Sequence, residues 1–155
     1  MRTLTSVLLL AFTALASAGA SSPIQYHCID GKKVRKSSYQ ELKISFQGSE
    51  LRQLTYTNQM GPSNSGSYFG CTVPASRGDS QQQWVSQGAI TTISFLGSGV
   101  RAGQDASVIV RDQRDTIEVT FDGSTFYFCG AQSNVPEKIV LNKNTKSCVF
   151  DGPYL

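Results

Sequence analysis

SYQELKISFQG, residues 38 to 48, admits two readings, and the fold class turns on the choice between them. Ser38 and Glu41 stand three apart, the spacing of a capping box in which a hydroxyl and a carboxylate satisfy the first free N–H groups of a helix. Tyr39, Leu42 and Phe46 then share one helical face. Leu42, Ile44 and Phe46 alternate equally well as a strand, and periodicity does not separate the two. The cap favours the helix, which is expected to start at Ser38 and end at Gly48.

The flanking segments read as β-structure. Asp30-Gly31 predicts a tight turn, because Asp-Gly tolerates positive φ; it would join a strand at Tyr26 to Cys28 with one at Lys33 and Val34. Strands are also expected over 50–57, 68–73, 89–95 and 106–110, with polar loops at NQMGPSNSGS and PASRGDSQQQ. TIEVTF-DG-STFYFC predicts a hairpin turning at Asp122-Gly123. Its register would set Phe121 against Ser124, Val119 against Phe126 and Ile117 against Phe128, all facing the core. Glu118, Thr120, Thr125 and Tyr127 would face the other way. KIVLN and SCVFD form the last expected pair, linked by KNTK. The sum is an α+β domain: an antiparallel sheet with one substantial helix.

The chain opens with Met1-Arg2, an apolar run LLLAFTALASA and small residues up to Ala20. This is the pattern of a secretory signal peptide over residues 1–20, leaving residues 21–155 as one domain. The run is shorter than the roughly 20 residues that span a bilayer, so no membrane partner is expected. Four cysteines, Cys28, Cys71, Cys129 and Cys148, suit an oxidising compartment and permit three disulfide connectivities. A single histidine and the absence of Cys-x-x-Cys spacing argue against a metal site, and no cofactor is implied. With Arg2 removed, 13 basic residues face 11 acidic ones, too small an excess to demand a nucleic-acid partner.

YHCIDGKKV near the mature start and KSCVFDG near the end resemble the ribonuclease-like effectors that plant-pathogenic fungi such as powdery mildews secrete, which carry a Y-x-C motif after the signal peptide. The resemblance implies the fold of the microbial guanyl-specific ribonucleases, one helix packed on a curved antiparallel sheet, with disulfides Cys28–Cys148 and Cys71–Cys129. VPEKIVLN is similar to that family's P-G-x-[DE]-R-V-V-F-N segment, with Lys138 in place of the catalytic arginine. Ser67-Tyr68-Phe69-Gly70 stands where the family has S-Y-P-H, and CVFDG where it has V-I-T-H. Gly70 and Asp151 therefore occupy the two histidine sites.

RNA cleavage through a cyclic phosphate requires a base, an acid and a cation at the phosphorane. The groups left to supply them are His27, Glu118, Glu137 and Lys138, and lysine lacks the forked geometry of arginine. The resemblance thus implies a pseudo-ribonuclease: a secreted effector or virulence protein, monomeric, acting on a host plant protein, such as an immune receptor or defence target, or on RNA, outside or inside host cells. Tyr26, Lys32, Lys33, Arg35, Lys36, Tyr39, Tyr68 and Lys138 are the candidate RNA contacts, as cations for phosphate and rings for base stacking. An active secreted ribonuclease is one alternative. The other is a β-rich adhesion or carbohydrate-binding module, suggested by Arg77-Gly78-Asp79 and by the abundance of Ser, Thr and Gly.

Overall fold

The computed structural model describes residues 22–29, 38–61, 69–96, 106–123, 128–129 and 135–152. The expected signal peptide and the basic run from Lys32 to Lys36 lie outside them, as do Tyr68 and the partner expected for the first strand at Lys33 and Val34. Ten strands form: β1 (Ile24–Ile29), β2 (Tyr39–Gln47), β3 (Glu50–Met60), β4 (Phe69–Ser76), β5 (Gln82–Gln87), β6 (Ile90–Phe95), β7 (Ala106–Asp112), β8 (Thr116–Asp122), β9 (Lys138–Asn142) and β10 (Cys148–Asp151). They make two antiparallel sheets, one of four strands ordered β1-β2-β3-β4 and one of six ordered β10-β9-β8-β7-β6-β5. The expected α+β fold, a helix on one curved sheet, is therefore wrong. Two sheets pack face to face, and among the described residues the only helical backbone is the pair Phe128–Cys129.

The error lies in residues 38–48, which are a strand. Leu42, Ile44 and Phe46 are each at most 4% exposed, and they alternate with Glu41, Lys43 and Ser45 on the opposite face. A helix would have left Ile44 off its apolar side, and burying such a side chain is worth about 2 kcal/mol. A cap contributes only about 1 kcal/mol. Ser38 does act as an acceptor, but for the N–H of Gly61 at 3.0 Å, beyond the end of β3. Gly48 ends the segment as the first residue of a two-residue hairpin, with Gln47 opposite Glu50 and φ of +62°. Gly88 repeats the device between β5 and β6, at φ +58° with Gln87 opposite Ile90. Both match the turn type that requires glycine first.

The Asp122-Gly123 hairpin also fails. Gly123 does adopt positive φ, at +108°, but β8 already has a strand on each side. Ile117 lies between Asp112 of β7 and Leu141 of β9, which leaves no place for Phe128. The face assignment was nonetheless correct, since Ile117, Val119 and Phe121 are buried. Phe128 packs its ring edge-on against Phe121 and Phe95, with centroids 5.6 and 5.5 Å away. The β9–β10 pair forms as expected. β5 falls within a stretch expected to be partly loop.

Between the sheets lies one core. Tyr56 of β3, fully buried, meets Phe121 of β8 at 5.2 Å between ring centroids. The two lateral borders are closed differently. On one side Cys28 of β1 bonds Cys148 of β10. On the other, the Gln82 side chain on β5 stands in for a missing strand beside β4: its oxygen accepts from Ser76 N–H at 3.0 Å and its amide donates to the Pro74 carbonyl at 3.1 Å. Cys71 on β4 bonds Cys129. Both disulfides are those the resemblance implied, although the fold it implied is not the one that forms. Their presence suits an oxidising compartment, and among the described residues no helix is long and apolar enough to cross a membrane.

Candidate binding face

Strand alternation fixes what each outer surface displays. On the four-stranded sheet, even-numbered residues of β1 and β2 point inward and odd-numbered ones outward. Cross-strand register then aligns His27 with Lys43 and Thr55, and Gln25 with Ser45 and Gln53. These six side chains form two rungs of three, spaced about 4.8 Å between strands and about 7 Å along them. They line a groove of about 320 Å³, which the strands at Tyr26 and Ile44 also border.

The next rung holds Glu41, which organises the charged part of the groove. His27 Nε2 lies 2.6 Å from Glu41 Oε1, and Lys43 Nζ approaches the same oxygen at 3.3 Å. The Glu41 side chain is 16% exposed, against 50% for His27 and 57% for Lys43. Partial burial on its own raises the Glu41 carboxyl pKa, but hydrogen bonds and charge from His27 and Lys43 outweigh it and hold the group below the ordinary carboxylate range. The acid thus stays ionised and holds both His27 and Lys43. The groove is left nearly neutral, with four uncharged amide and hydroxyl side chains beside them.

The proposed catalytic set does not assemble. His27 faces outward from the four-stranded sheet. Glu118 and Lys138 face outward from the six-stranded sheet, across the core, where Glu118 Oε1 accepts from Arg111 Nη1 at 3.0 Å and Lys138 pairs loosely with Asp151 at 3.9 Å. Glu137 is exposed just before β9. The positions matched to the family's histidines part in the same way, Gly70 on β4 and Asp151 on β10. Of the candidate RNA contacts, Tyr26 is half-buried against Phe46, rings edge to face at 6.2 Å, and Tyr39 sits at the far end of β2 opposite Gln59. No group of three or more His, Cys, Asp or Glu side chains arranged to hold a metal occurs among the described residues.

Arg77-Gly78-Asp79 forms the β4–β5 turn with both of its charges held in place. Arg77 donates to the Leu51 carbonyl at 3.2 Å and Ser86 Oγ at 3.1 Å, pairs with Glu50 at 3.1 Å, and lies over the Trp84 ring at 5.3 Å. Asp79 accepts from the Gln81 N–H at 2.9 Å and the Gln82 amide at 3.0 Å. An adhesion tripeptide must offer both charges to a partner, and here each is spent on the turn itself.

Sequence reasoning missed Gln25, Glu41, Lys43, Ser45, Gln53 and Thr55. The signal was there: had residues 39–47 been read as a strand, their odd positions would have joined His27 on one face. The chain matches no protein-family model, no curated protein and no solved structure.

Proposed function

We propose that this is a secreted, non-catalytic binding module that holds a sugar chain across the outer face of its four-stranded sheet. The observation that carries the reading is the two-by-three array Gln25, Ser45, Gln53 and His27, Lys43, Thr55 lining one shallow groove. Amide and hydroxyl groups both donate and accept, as sugar hydroxyls do. A regular array at strand spacing suits a repeating, extended ligand better than a compact one. Lys43 is paired with Glu41 on the next rung, so the groove lacks the basic excess that phosphate backbones require. The effector reading, with RNA or a host protein as target, drew on a ribonuclease fold that the chain does not adopt.

Six side chains at about 1 kcal/mol net each, less an association cost of at least about 4 kcal/mol, leave about 2 kcal/mol, an affinity in the tens of millimolar for a short oligosaccharide. Longer chains should bind more tightly by spanning further rungs. The test is co-sedimentation of the protein with insoluble β-linked glucan, chitin and pectin. Retention on at least one polymer, lost in Gln53→Ala/Thr55→Ala with the melting temperature unchanged, is expected. No retention on any polymer, or retention indifferent to those changes, would refute it.

A further inference from the structure

The opposite outer surface has a different character. On the six-stranded sheet, register aligns one rung across all strands: Gln87, Ile90, Arg111, Glu118, Val140 and Val149. Ile90 is 40% exposed and Val149 61%, and Val85 on the neighbouring rung is 47% exposed. The β-branched residues thus form two small patches, Val85 with Ile90 and Val140 with Val149, at either end of the rung, with Arg111 and Glu118 between them, and such patches framing a charge pair mark an interaction surface.

We propose that this face is where a second copy of the chain packs, face to face. The rung's charge pattern selects that occupant. A half-turn about an axis parallel to the strands and between β7 and β8 exchanges β7 with β8, β6 with β9 and β5 with β10. Arg111 then lies over Glu118 of the second copy and Glu118 over its Arg111, so the 3.0 Å ion pair within one chain becomes a four-membered ring of alternating charge. Ile90 lies over Val140 of the second copy, and Gln87 over Val149. On the neighbouring rungs Ile109 meets Thr120, Thr92 meets Lys138, Val85 meets Asp151, and Ser107 meets Asp122. No like charges oppose one another, which is what an isologous interface demands.

The area agrees. Six strands about 4.8 Å apart and about 20 Å long present roughly 600 Å² per copy, or about 1,200 Å² in all, the lower end of specific interfaces. The dimer is therefore reversible and concentration-dependent, where the sequence alone had suggested a monomer. The inference does not depend on sugar binding, which uses the other sheet.

Sedimentation velocity on the disulfide-intact protein between about 1 and 500 μM tests it, a range that brackets micromolar association. Mass should rise from one chain to two. Ile90→Lys should abolish the rise without lowering the melting temperature. Arg111→Glu and Glu118→Arg should each weaken association at least about tenfold, and the two together should restore it, since the reciprocal pair is rebuilt. A monomer throughout, a dimer indifferent to Ile90→Lys, or a double reversal that restores nothing would overturn the proposal.

Discussion

Replacing Ile44 by Ala distinguishes the strand from the helix at the segment that decides the fold. In the strand Ile44 is 2% exposed, on the inner face between Tyr26 and Leu54. The substitution removes three carbons, about 2.4 kcal/mol of transfer free energy at about 0.8 kcal/mol each. A residual cavity beneath the sheet adds to this, giving about 3–4 kcal/mol. For a domain of this size each kcal/mol moves the melting temperature by about 3–4 °C, so a drop of about 9–16 °C is expected. Tyr39→Ala is the matched control. A helix would bury Tyr39 with Leu42 and Phe46, whereas the strand leaves it half-buried on the outer side opposite Gln59, where truncation costs less than at Ile44, about 1–2 kcal/mol. Urea unfolding followed by circular dichroism, with disulfides intact, gives both values. A loss under about 0.5 kcal/mol for Ile44→Ala together with more than about 2 kcal/mol for Tyr39→Ala would refute the strand assignment.

Two further outcomes follow from the borders and the groove. Cys28→Ala/Cys148→Ala opens a loop whose ends are 120 residues apart, which in the chain-entropy account costs about 5 kcal/mol, a large share of a typical domain's stability; thermal unfolding should show a far lower midpoint or no cooperative transition. The Glu41 carboxyl has its folded pKa below its unfolded value, so its contribution is complete above the ordinary carboxylate pKa near 4.3 and is lost as pH falls through the lower folded value. Stability measured from about pH 6 down to pH 2 should therefore fall less steeply in Glu41→Gln than in the parent chain, and identical slopes would show that the carboxylate contributes nothing.

What the sequence revealed depended on whether a local signal agreed with the tertiary environment. Ile117, Val119 and Phe121 were correctly placed in the core because alternation needs no knowledge of the partner strand. That partner was misassigned because Asp122-Gly123 is a turn signal only if the next strand folds back, and β7 and β9 already occupy both sides of β8. At residues 38–48 the cap spacing was genuine, but burial of Ile44 between two neighbouring strands outweighed it. The groove was legible only in part. His27 was singled out as the only histidine, yet its neighbours across the sheet, Lys43 and Thr55, depend on the register of three strands, two of them misread or left without partners. The disulfide pairing was anticipated from a resemblance whose fold is not the one observed, so agreement there supports the pairing alone.

That mismatch has a physical reason. The segments that carried the resemblance, VPEKIVLN and CVFDG, are half-buried strands, and alternating apolar and polar residues are what any such strand requires. They specify a strand and its inward face, but not the sheet it joins. Catalysis needs convergence within a few ångströms, and convergence is a property of topology. Here β4 and β1 enter one sheet while β8, β9 and β10 enter the other. Gly70 and His27 are thereby separated from Glu118, Lys138 and Asp151 by the full thickness of the core, since stacked sheets lie about 10 Å apart before outward side chains are counted. Restoring histidines at positions 70 and 151 would accordingly place them on opposite sides of the protein. A fold of this kind presents its chemistry on two broad outer faces rather than in one cleft, and in this chain those faces differ: one is a polar, nearly neutral array and the other a mixed rung in which β-branched residues flank a central charge pair.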